Sequence, residues 1–210
     1  MTRPAFQRLL GLTALAAIAA SDFATPAAAQ TAPDALSVYS STAEQDCRMD
    51  HARRRVPEDG GTRVCPGPHG FVVVVSANDL RETVSVGRIR ALADKEPAAR
   101  TSFKPFNSAA TTVEWRSRRN GSRPFAIIQR WSLADNNDPD KDGRPRDKPM
   151  LVVTRLPPGP VCHVAYVDVQ ANPNANELAR KAAETARNFD CAKDKVAIVG
   201  NPGRATELAQ

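Results

Sequence analysis

Four cysteines, Cys47, Cys65, Cys162 and Cys191, restrict what this chain of 210 residues can become more than any other feature. What they do depends on the compartment, and the N-terminus speaks to that. The chain opens MTRPAFQRLLGLTALAAIAASDFATPAAAQ. Arg3 and Arg8 make a positive n-region, residues 9–20 a short apolar h-region, and Ala27, Ala28 and Ala29 a small-residue cleavage signal. Together they read as a secretory signal peptide over residues 1–29. The apolar run is too short to span a bilayer, and no later stretch approaches the roughly 18 apolar residues a membrane helix needs. Residues 30–210 are therefore expected to be a single exported domain, periplasmic or secreted. In an oxidising compartment an even cysteine count favours disulfides.

Four cysteines allow three connectivities. Locality favours Cys47–Cys65 and Cys162–Cys191, since each pair brackets a short segment, and leaves the other two open. A zinc site is the alternative for the first pair, because Cys47 and Cys65 each precede a histidine, His51 and His69, by four positions. Closed zinc sites ordinarily pair Cys with Cys and His with His at short spacing. Both pairs here are mixed, and exported thiols oxidise, so the disulfide is preferred.

The rest of the chain reads mainly as strand. GFVVVVSA (70–77) is a continuous β-branched run, as in a strand covered on both faces, and LRETVSVG (80–87) returns after a turn at Asn78 and Asp79. TTVEWRSRR (111–119) and PFAIIQRWSL (124–133) flank Asn120-Gly121, a pair that favours tight hairpin turns. MLVVTRL (150–156) and VCHVAYVDV (161–169) flank PPGP. One helix follows in NPNANELARKAAETARNF, with Asn172 as its expected cap. Its apolar stripe runs through Ala175, Leu178, Ala179, Ala182, Ala186 and Phe189. The predicted fold is α+β: a mainly antiparallel sheet of about six strands, with one C-terminal amphipathic helix packed on it and two disulfides.

Formal charge is +6, and +5 once residues 1–29, with two arginines and one aspartate, are removed. That is moderately basic, and no nucleic-acid partner is expected. The basic clusters are HARRRV, with Arg53, Arg54 and Arg55, and EWRSRRNGSR, with Arg116, Arg118 and Arg119. They are expected to be solvated surface, with a weak attraction to anionic envelope surfaces.

Motifs that carry chemistry are few. DPDKDG places Asp138, Asp140 and Asp142 on alternating positions ahead of Gly143, like the opening of a calcium loop. Calcium is the one cofactor the sequence suggests, although Pro149 stands where a bidentate Glu belongs. No G-x-S-x-G, H-E-x-x-H, phosphate loop or S-x-x-K is present. His163 adjoins Cys162, but strand neighbours point to opposite faces and cannot act as base and nucleophile. Trp115 and Trp131 would suit a sugar-stacking face, and core packing is the preferred role.

CPG before an apolar strand, DLR with VSVG, FNSAATTVEWR, PFAIIQRW, LVVTRL, CHVAYVDV with NPNAN, and an Ala/Arg helix ending in FDC form a recognisable series. From Cys47 to Gly200 it resembles a family of small exported bacterial proteins without an assigned activity. In that pattern the cysteines recur, whereas His51 and His69 do not belong. The resemblance implies an address and no reaction. The expected function is a non-catalytic binding or envelope-accessory domain. The alternatives are an enzyme whose site assembles only in three dimensions, and a calcium-stabilised module.

Overall fold

In the computed structural model, which describes Met1 and residues 35–50, 61–118 and 121–210, the valine run is covered on both faces. Val73 and Val75 point into the main core and Val74 packs with Val64 and Ala93 on the other side. Two-sided cover is what lets a strand dispense with alternating polarity. The candidate leader lies almost wholly outside the described residues.

The strands are β1 (Ala35–Ser41), β2 (Arg48–Asp50), β3 (Thr62–Pro66), β4 (Val72–Asn78), β5 (Arg81–Gly87), β6 (Asn107–Arg118), β7 (Ala126–Pro139), β8 (Pro145–Arg155), β9 (His163–Asp168) and β10 (Ala197–Ile198). The helices are α1 (Arg90–Ala93), α2 (Ala175–Thr185) and α3 (Arg204–Leu208). The fold is mixed α+β, mostly sheet, with two disulfides. Instead of one sheet of about six strands there are two: a six-stranded sheet ordered β1-β6-β7-β8-β9-β10, and a four-stranded one ordered β2-β3-β4-β5. Among the described residues all strand pairs are antiparallel except β9 with β10.

The main core joins the two sheets. Cys65, Val73, Val75, Val84 and Val86 of the smaller sheet share it with Val113, Trp115, Ile127, Trp131, Leu133, Met150 and Val152 of the larger. Trp115 and Trp131 are 0% and 1% exposed, so both are core and neither offers a sugar-stacking face. The other face of the large sheet holds Ala126, Ile128, Leu151, Val153, Val164 and Val167 against Ala175, Ala179, Ala183 and Ala186. Methyl-sized side chains let α2 lie close to the strands, as its alanine stripe suggests. The helix begins later than expected. Its N-cap residue is Asn174, while the buried Asn172 ties Asp168 O and Asn201 O together through Nδ2 and accepts from the Asn201 N–H.

α3, absent from the sequence expectation, is held by acids. The Asp168 carboxylate accepts from the Ala205 N–H at 2.8 Å. Asp135 accepts from Arg204 Nε and Nη2 at 2.7 and 2.8 Å. Hydrogen bonding from Arg204 lowers the Asp135 carboxyl to about 2. Among the described residues no helix is long and apolar enough to cross a membrane.

Candidate functional site

All four cysteines are bonded, Cys47 to Cys65 and Cys162 to Cys191. With Cys47 and Cys65 joined, the four-ligand zinc set is not available. His51 lies outside the described residues, and His69 sits in the β3–β4 turn. Cys162 packs toward α2 while the His163 ring sits among Phe103, Trp131 and Tyr166, so the two do face apart.

The aspartate series forms the tip of the β7–β8 hairpin. Asp140 Oδ1 accepts from the N–H groups of Asp142 and Arg144 at 2.8 and 2.9 Å, an Asx-type turn. The Asp138 carboxylate faces Lys148 Nζ at 2.5 Å and Arg146 Nε at 3.6 Å. Among the described residues no group of three or more His, Cys, Asp or Glu is arranged to hold a metal. A cation entering here would displace Lys148 and compete with two backbone donors. Calcium at concentrations that fill millimolar sites is expected to leave the melting temperature unchanged. A rise of about 3–5 °C, lost in Asp140→Asn, would instead make this loop a cation site.

Of the basic clusters, Arg53, Arg54, Arg55 and Arg119 lie outside the described residues. Arg118 is exposed at the end of β6. Arg116 corrects the expectation of a wholly solvated cluster, since it is 4% exposed. On β6 it alternates onto the same face as Glu114, 3.5 Å away, and donates to Ser37 Oγ at 2.5 Å. Arg180 of α2 closes on the same Glu114 at 2.8 Å. This network fastens β1 and α2 to the sheet.

The candidate cationic site is a cleft of about 470 Å³ lined by five separate segments of the chain. The β3–β4 connection supplies Phe71. There His69 (φ 55°) and Gly70 (φ 73°) turn through left-handed backbone, and the His69 carbonyl accepts from Arg88 Nη1. Glycine suits position 70, where the left-handed backbone favours it and a Cβ would come 3.2 Å from Arg88 Nη1. Arg88 follows β5, with Cζ 4.6 Å from the Phe71 ring centroid. Ser122, Arg123 and Pro124 come from the β6–β7 connection, and Pro157 and Pro158 from the β8–β9 connection. That last loop is braced by Arg155, which donates to Pro158 O at 2.8 Å and Pro160 O at 3.3 Å. Arg187, one turn beyond α2, lies 5.0 Å over the Phe125 ring.

Arg88, Arg123 and Arg187 line this cleft, and among the described residues no carboxylate lines it. Among the described residues none of the three has a carboxylate partner. Burial, and then the neighbouring Arg118, lower the Arg187 guanidinium below its ordinary value. Among the described residues the lining thus carries three positive charges and no negative one. Guanidinium groups stacked on rings keep their N–H forks in a fixed plane, the geometry that matches oxyanions. Sequence reasoning missed the cleft because its parts lie at 71, 88, 122–124, 157–158 and 187. The basic run EWRSRRNGSR contributes only its last residue, Arg123, and Arg88 and Arg187 lie outside both basic clusters. No protein-family model matches the chain, and no curated protein and no solved structure matches it.

Proposed function

We propose that this chain is an exported, non-catalytic binding domain of the bacterial envelope that receives an anionic group in the arginine cleft. The observation that carries the reading is the set of three arginines, without carboxylate partners among the described residues, around an apolar floor. Two disulfides suit an oxidising compartment, which supports export together with the signal-like leader. Membership in the family of small exported bacterial proteins belongs to the same proposal. Arginine remains protonated and cannot serve as a general base, so the cleft's chemistry favours holding an anion over transforming one.

Polyphosphate is a suitable probe because it presents oxyanions without sugar or lipid. It is expected to bind the wild-type protein with an affinity that falls as salt rises. Arg88→Ala combined with Arg187→Ala should weaken binding by about tenfold or more, as loss of charge-assisted hydrogen bonds does. Both side chains are exposed but stack on Phe71 and Phe125, so the variant should lose about 1–2 kcal/mol of stability and stay folded, and binding is compared well below its melting temperature. Equal binding by the two proteins would overturn the proposal.

A further inference from the structure

The walls of the cleft differ in kind from its rim. Phe71, Pro124, Pro157 and Pro158 form them, and proline contributes ring carbon while lacking a backbone N–H. Phe71 is 3% exposed and stacks at 6.0 Å on Trp115, so the floor is fixed by the core beneath it. Gly159 (φ 91°) permits the tight proline turn, since a Cβ there would lie 2.9 Å from Arg155 Nη1, the group that braces the loop. A polyhydroxylated ligand is favoured by side-chain amide and carboxylate partners or an open indole face, and among the described residues the cleft lining contains none of these. A bare anion would leave the apolar walls unused.

We propose that the cleft takes an oxyanion head carried on an apolar body, in the manner of an alkyl phosphate monoester. This rests on the reading of the cleft as an anion site. The head would meet Arg88, Arg123 and Arg187, and the first few carbons behind it would lie against Pro157 and Pro158, which keep exposed ring carbon. Desolvating those carbons adds affinity that an inorganic ion cannot gain.

Calorimetric titration with hexyl phosphate as monomer, inorganic phosphate and a sugar phosphate tests this on the intact protein. Hexyl phosphate is expected to bind about tenfold or more tightly than inorganic phosphate, as burial of two or three methylenes would give. The sugar phosphate should bind no better than the inorganic ion. Pro157→Ser should shrink the ratio of hexyl to inorganic affinity, whereas general loosening of the fold would weaken both ligands in proportion and leave the ratio unchanged. Equal affinities for all three ligands would overturn the apolar-body proposal and leave the anion site standing. Absence of any phosphate binding, or binding indifferent to Arg88→Ala with Arg187→Ala, would remove the anion site as well.

Discussion

Reduction of Cys47–Cys65 and Cys162–Cys191 under otherwise native conditions is expected to unfold the domain. The bonded cysteines are 18 and 29 residues apart. On the chain-entropy account, loops of that size contribute about 3 and about 3.5 kcal/mol. Their sum is of the order of a typical domain's whole stability, about 5–15 kcal/mol. The elements they hold have little else. β2 is three residues long and pairs with β3 alone, and Cys47 anchors its start to Cys65, which is 0% exposed in the main core. α2 buries only alanine side chains completely, so it contributes modest apolar area per turn, and Cys191 ties the segment behind it to the start of β9. Replacing one pair at a time separates the terms. Cys162→Ala with Cys191→Ala should cost about 3 kcal/mol and leave a folded protein, read from the urea midpoint at constant slope. A reduced wild-type protein whose midpoint stays where the oxidised one lies would show that the noncovalent core suffices.

How far the fold was legible depends on how local its causes are. β4 to β9 carry their signals within the strand: a β-branched run at 72–75, alternation in β5, and a glycine-containing turn beside β7. β1 carries none. ALSVYSS is an edge strand, and its Leu36, Val38 and Tyr39 are 46%, 46% and 55% exposed, so no core face is imprinted on it. β3 includes Arg63, whose charge is tolerated because Glu82 of β5 meets it at 2.9 Å, a fact of pairing and not of sequence. Division into two sheets is equally nonlocal. It follows from the crossover after β5, where Asn107 Oδ1 accepts from the Glu82 N–H and the Leu80 carbonyl accepts from the Asn107 N–H.

The candidate site shows the same limit from the other side. A cluster of arginines in sequence was expected to mark the cationic surface, yet alternation turns Arg116 inward to Glu114. The arginines that do converge are separated by 35 and 64 positions along the chain, at 88, 123 and 187. The ends of two strands and of α2 gather them, and where those ends meet is a property of topology.

Acid should destabilise this protein well before its carboxylates titrate, and His163 is the cause. The ring is 3% exposed, faces Phe103 and Trp131 at centroid distances of 6.0 and 6.3 Å, and shares a 2.9 Å hydrogen bond between Nδ1 and Tyr166 Oη. Among the described residues its Nε2 has no hydrogen-bond partner. Burial lowers the imidazole from an ordinary 6.5 to about 4. Between those values the unfolded chain binds a proton that the folded chain refuses, so stability is full above pH 6.5 and falls as pH drops toward 4. The difference corresponds to a loss of about 3 kcal/mol, measurable as a urea midpoint that declines over this window. His163→Gln should flatten the decline between pH 6.5 and 4. Asp135 acts in a separate window: its carboxyl lies at about 2 against an ordinary 3.8, so the stability it contributes is lost only below pH 4, in wild type and variant alike. At the alkaline end burial raises Tyr166 to about 12, so ionisation of the unfolded chain above pH 10 lowers stability until the folded phenol also ionises, and Tyr166→Phe should remove that limb. A wild-type midpoint that is level from pH 7 to 4 would mean that water or rearrangement reaches the His163 ring, and that the two sheets do not seal it.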